Sequence, residues 1–203
     1  MNAPKRLAAI GCRAHTGWAA LVVVAGDAAH LEVVGRRRIE LADPASAVPR
    51  AVYQRSRELR PAEAMQRIAA VTQVARARAA AALENAVQET GDAGRGVRRC
   101  GVVVGNLSAD LRLESILASH ALAHAAEGRL YQEALLDGAE ACGLRPIGVM
   151  RSSIWDEACW TFDVSVDDMK RHLAEVRREV GAPWAEDQKL AALAALLAVA
   201  APA

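Results

Sequence analysis

The chain has 203 residues, with 25 Lys+Arg against 24 Asp+Glu and a formal net charge of +1. Apolar residues make up 53% and charged residues 24%, enough apolar area to offset chain entropy, so a largely disordered chain is excluded. Aromatics are only 3%, so the core has to be built from Ala, Leu, Val and Ile.

A short apolar run over Leu7–Cys12 opens the chain, followed by a stronger strand signal over Trp18–Ala25, where three valines stand in a row before a Gly26-Asp27 turn. His30–Leu41 starts as a third strand and turns polar. Three strands with short connections predict an antiparallel meander. Residues 42–60 hold Pro44 and Pro49 and read as a surface loop. Pro61 suits a first helical position, and the pattern from Ala62 to Glu89 is helical until Gly91 to Gly96 breaks it. Arg99–Gly105 is a buried strand candidate. One long helix is predicted from Leu111 to Cys142, ended by Gly143. Pro146–Met150 is a short last strand, and Ser152–Ser165 reads as irregular. Asp167–Val180 is a helix with acids at its positive end, and Glu186–Ala201 is the final helix. The order is β-β-β-α-β-α-β-α-α. It predicts a single α/β domain over 1–203: a five-stranded mixed sheet, three antiparallel strands then two parallel, with helices on both faces. The first strand should lie centrally, between the second and the parallel strand 99–105.

The even charge balance hides an asymmetry. Residues 1–100 carry 16 basic and 9 acidic side chains, whereas residues 101–203 carry 9 and 15. A basic half either faces nucleic acid or another acidic partner, or attracts the acidic half of its own domain. Cys12, Cys100, Cys142 and Cys159 form no CxxC pair, which excludes a zinc ribbon and a small disulfide framework and fits a reduced, cytoplasmic setting. Lys5-Arg6 ahead of Leu7–Cys12 imitates a lipoprotein signal, but the apolar stretch is too short. The longest apolar run, Leu190–Ala203, has 14 residues where a membrane span needs about 20. It reads as a buried terminal helix, and no membrane partner is expected.

The element order is that of the ribonuclease H-like fold. Ile10-Gly11-Cys12-Arg13, followed by Gly17-Trp18, resembles the first hairpin of Holliday-junction-resolvase-like nucleases, which carry Ile-Gly-x-Asp-Pro and then Gly-Trp or Gly-Tyr. Ala125–Gly143 and the C-terminal Asp-plus-Ala/Leu helix add to the likeness. The chain also resembles a bacterial family that shares the hairpin and a Ser-His…His-x-x-Glu-Gly…Tyr helix. The resolvase resemblance implies two divalent metals about 4 Å apart, held by carboxylates of strand one, strand four and the last helix. Here the strand-one position falls at Cys12 or Arg13 and the strand-four position at Gly105 or Asn106. Only Asp187, beside Glu186, fits the last-helix carboxylate. No standard two-metal centre is expected at Cys12/Arg13 and Asn106.

The best candidate site is a stripe on the long helix: Ser119, His120, His124, Glu127 and Tyr131, at offsets of 4, 7 and 11 from His120. His120, His124 and Glu127 suit a divalent-metal or acid–base site, with Gly128 allowing close approach. The alternative is a polar seam hydrogen-bonded to a neighbouring loop. On the functional reading the three residues line a solvent-reachable cleft. Asp187 is a residual metal ligand, a partner of Arg13, or an acid favourably placed at a helix start; Lys189 follows it. Arg13, near His15, Thr16 and Asn106, can grip a phosphate or fill a vacated metal site. Arg36 and Arg38 share one strand face, as a nucleic-acid patch or as a solvated edge; no aromatic stands between them. Three functions follow: a divergent metal-dependent nuclease or phosphotransfer enzyme using His120, His124, Glu127 and Asp187; an inactive nucleic-acid or protein binder; or a structural scaffold of the same fold.

Overall fold

A computed structural model describes residues 7–26, 31–43, 45, 49–106 and 111–201. The sheet order is β3-β2-β1-β4-β5, with β1 Leu7–His15, β2 Trp18–Ala25, β3 Glu32–Glu40, β4 Gly96–Val104 and β5 Arg145–Met150. β1 is central, antiparallel to β2 and parallel to β4, and β4 is parallel to β5. This is the predicted sheet. His30, Asp27 and Pro44 lie outside the described residues.

One face carries the 32-residue α2 (Pro61–Asp92) and α4 (His120–Ala141). The other carries α5 (Ile154–Phe162) and α7 (Glu186–Ala200), with α6 (Val166–Val180) against α5. Each face has its own apolar core. Ile10, Leu21, Cys100 and Val102 meet α2 and α4, whereas Ala9, Val22, Val103 and Val149 meet α7. The scarcity of aromatics is met by close approach. A Cβ on Gly11 would lie 1.8 Å from the Ala191 carbonyl oxygen, and one on Gly101 would lie 2.0 Å from that of Ala194. α7 therefore rests on bare backbone, and its residues 190–198 are all buried. That is the buried terminal helix expected from the sequence. Among the described residues no helix is long and apolar enough to cross a membrane.

Three predicted elements need correction. The loop over 42–60 contains a one-turn helix, α1 (Val52–Arg55). The long helix is two: α3 (Leu113–Ala118) and α4, divided at Ser119, whose Oγ accepts the Leu122 N–H at 3.3 Å as an N-cap. The segment 152–165 is not irregular, because α5 forms there and ends on Asp163 in the left-handed conformation at φ 50°. At the α6–α7 connection, Arg36 of β3 reaches across and donates to the carbonyls of Gly181 (3.1 Å), Ala182 (3.0 Å), Pro183 (2.7 Å) and Val180.

Candidate anion-binding cleft

The C-terminal ends of β1 and β4, together with residues 124–132 of α4, enclose an open cavity of about 290 Å³. Arg13, His15 and Thr16 enter it from the β1–β2 hairpin, Gly105 and Asn106 from the end of β4, and Arg151 from the end of β5. α4 contributes His124, Gly128, Arg129 and Gln132. Three guanidinium groups and two imidazoles line this cleft, and no carboxylate does so among the described residues.

The arginines differ in what already holds them. Arg13 Nη1 donates to the Ala14 carbonyl at 2.8 Å, and Arg13 Nε is shielded from solvent without a hydrogen-bond partner. Burial lowers the Arg13 pKa, the Arg151 charge lowers it further, and Asp187 opposes both. Arg129 is bound to Glu133 at 2.6 Å. The Arg151 side chain is exposed. Gln132 Oε1 accepts the Gly105 N–H at 3.2 Å, which leaves the amide NH₂ as its remaining donor.

Asp187, in the first turn of α7, pairs with His15 rather than Arg13: Nε2 to Oδ1 is 2.8 Å. His15 stacks on Trp18, with centroids 4.2 Å apart and planes 6° from parallel. The Arg38 guanidinium covers the Trp18 ring at 4.0 Å, and Arg38 Nε also donates to Glu40 at 2.6 Å. The reading that no aromatic accompanies the Arg36/Arg38 face is thus corrected: the partner comes from the neighbouring strand. Sequence reasoning missed this stack. The available signal was the pair His15 and Trp18 flanking a two-residue Thr16-Gly17 turn, which sets them directly opposite each other.

The stripe on α4 is split. His120 and His124 are exposed, but Glu127 is 1% exposed and Tyr131 fully buried. Glu127 accepts the Tyr53 N–H at 2.6 Å and a second backbone N–H from Gln54. Tyr131 donates to the Arg50 carbonyl at 2.8 Å, and burial pushes its phenol up to about 12. The expectation that His120, His124 and Glu127 share a solvent-reachable cleft is therefore overturned for Glu127. The segment 50–55, including the unforeseen α1, covers that part of the stripe, and the carboxylate caps the start of α1 from another helix. Burial pushes its carboxyl up to about 7 against the pull of the two N–H donors. Of the predicted residues, Arg13, Asn106 and His124 come together in the cleft. Asp187 reaches it through His15, while half-buried Lys189, His120, Arg36 and Arg38 are not among its lining residues. Among the described residues no group of three or more His, Cys, Asp or Glu could hold a metal ion. A Cβ on Gly128 would meet only Gln132 Nε2, at 3.8 Å, so this glycine opens the cleft wall without being required by packing.

No protein-family model and no curated protein matches the sequence. Among solved structures, the chain is similar to Thermus thermophilus RuvC in complex with a Holliday junction substrate, at 10% identity and a TM-score of 0.54, covering 94% of this chain and 90% of that one. It is similar to another Thermus thermophilus RuvC structure at 11% identity and a TM-score of 0.52, over 94% and 91% of the two chains. At these identities the likeness is one of fold: the chain has the ribonuclease H-like fold, with its element order and sheet topology.

Proposed function

We propose that this protein binds nucleic acid through its phosphates, at the cleft between β1, β4 and α4, and that it does so without a two-metal carboxylate centre. One observation carries the reading: the lining holds Arg13, Arg129, Arg151, His15 and His124 with no described carboxylate. Guanidinium donors suit phosphate oxygens and repel a divalent cation. A divalent metal does not fit the residues present, because Arg13 and Asn106 stand at the ends of the strands where the fold family would need carboxylates. The similar Thermus thermophilus RuvC is in complex with a Holliday junction substrate, which supports a nucleic-acid partner in this reading.

Arg13 belongs to the phosphate-binding set in this reading. Arg36 and Arg38 serve instead to hold the α6–α7 connection and the Trp18 ring. His120, His124 and Glu127 divide between surface, cleft and seam. A scaffold that binds protein is the alternative, favoured by Trp160, which is 87% exposed on α5.

Equilibrium binding of DNA and RNA oligonucleotides across a salt series tests the proposal. Binding should weaken steeply as salt rises, because phosphate contacts release counterions, and added Mg²⁺ or Mn²⁺ should produce no cleavage. Binding that is absent, or insensitive to salt, rejects phosphate recognition. Metal-dependent cleavage rejects the metal-free reading.

A further inference from the structure

The cavity offers more charge than one phosphate of a continuous strand requires. An internal phosphodiester carries a single negative charge, whereas a terminal phosphate carries about −1.5 to −2 at neutral pH and presents three strong acceptor oxygens. Arg129 is engaged by Glu133, but its guanidinium still lines the cleft. Arg13 Nε is a shielded donor without a partner, and Arg151 is exposed and carries no side-chain bond among the described residues. These two cations, neither in contact with a carboxylate among the described residues, come from different elements and line one cavity. At about 290 Å³ the space is near the lower end of ligand pockets, enough for a phosphate group and its nearest sugar. The Asn106 amide and the free NH₂ of Gln132 add neutral donors on the same walls. Trp18 is not among the lining residues and is held between His15 and Arg38, so the rings the lining offers are imidazoles, His15 stacked on Trp18 and the exposed His124. The guanidinium and amide donors outnumber these rings, so recognition in this cleft centres on the phosphate group.

We infer that the cleft formed by Arg13, Arg151, Arg129, Asn106 and Gln132 takes the terminal phosphomonoester of a nucleic-acid strand. This rests on the phosphate-binding reading above and narrows its ligand from any backbone phosphate to a strand end.

The test compares one fluorescent oligonucleotide in three forms, with a 5′-phosphate, with a 3′-phosphate and with hydroxyls at both ends, on the full-length protein at a single salt concentration. One phosphorylated form should bind at least about tenfold tighter than the hydroxyl form, the scale of one or two charge-assisted hydrogen bonds. That preference should vanish in Arg151→Gln, an exposed position whose change leaves the fold intact. Arg13→Gln should abolish it too. Because Arg13 is half-buried and a misfolded variant would mimic that result, the Arg151 variant decides. Equal affinity for all three forms overturns this inference and leaves general phosphate binding standing. A phosphate preference that survives Arg151→Gln also overturns it, because the end is then read elsewhere. If a free nucleoside monophosphate or inorganic phosphate binds while no oligonucleotide does, both the strand-end assignment and the nucleic-acid reading fall.

Discussion

Glu127 shows how one residue can look catalytic in sequence and be structural in the fold. It sits in a row with His120, His124 and Tyr131 at helical spacing, and that row is real. Periodicity cannot say which part of a stripe a neighbouring segment covers, and here residues 50–55 cover Glu127 and Tyr131 while His124 stays in the cleft. The consequence is a pH-dependent stability. The carboxyl lies at about 7 in the fold against an ordinary 4.5. Between those values the folded chain holds a proton that the unfolded chain releases, so Glu127 favours folding below about 4.5 and loses that contribution as pH rises to about 7. At about 1.4 kcal/mol per pH unit the loss is on the order of 3 kcal/mol. In Glu127→Gln the side-chain oxygen still accepts the two backbone N–H groups and carries no proton to lose. Denaturant unfolding at pH 5 and pH 8 should show a smaller fall for the variant than for the parent chain. Parallel pH profiles would contradict the assignment.

Elements differ in how much the sequence discloses of them. β2 is read residue for residue, because a run of valines bounded by Gly-Trp and Gly26 has no other use. α2 follows from Pro61 at its first turn, though it runs through Gly91, where a break is expected, and ends at Asp92 ahead of the left-handed Gly94. α5 escapes because its helical period, Ile154, Trp155, Ala158, Cys159 and Phe162 on one face, spans only nine residues. The α3–α4 break escapes because Ser119 serves as C-cap of one helix and N-cap of the next within an unbroken periodic pattern. What no periodicity reveals is the distance between elements. α7 lies on the backbone of β1 and β4, so Gly11→Ala drives a Cβ into the Ala191 carbonyl at 1.8 Å. Both partners are backbone and cannot move singly. The substitution should cost at least the upper end of the usual overpacking range, about 3 kcal/mol. Gly91→Ala, with nothing within 4 Å of the added Cβ and a helical setting, should instead be neutral or stabilising by up to about 1 kcal/mol. Thermal unfolding of the pair checks it. A Gly11→Ala protein as stable as its parent would mean that α7 sits farther from the sheet.

At the scale of the whole molecule, the charge asymmetry of the two sequence halves misleads. The cleft draws Arg13 from the basic half and Arg129 and Arg151 from the acidic half, so the positive surface is assembled by topology and not by composition. Meanwhile Arg36 and Arg37 of the basic half are occupied, by four carbonyls of the α6–α7 connection and by Glu89. The salt dependence of binding separates these groups. With two unpaired guanidiniums and a third shared with Glu133, log K against log salt should have a slope of about −2, at roughly −0.7 to −0.9 for each phosphate neutralised. Arg151→Gln should flatten that slope by about 1 and weaken binding across all sequences alike. Arg36→Gln should leave the slope unchanged and destabilise the fold by about 0.5–1.5 kcal/mol, because the exposed carbonyls of the 180–183 segment exchange the guanidinium for water. Arg38→Gln should likewise leave the slope unchanged, its guanidinium lying on Trp18 and against Glu40. The opposite pattern, with a slope flattened by the β3 variants and untouched by Arg151→Gln, would move the phosphate track to the β3 edge of the sheet.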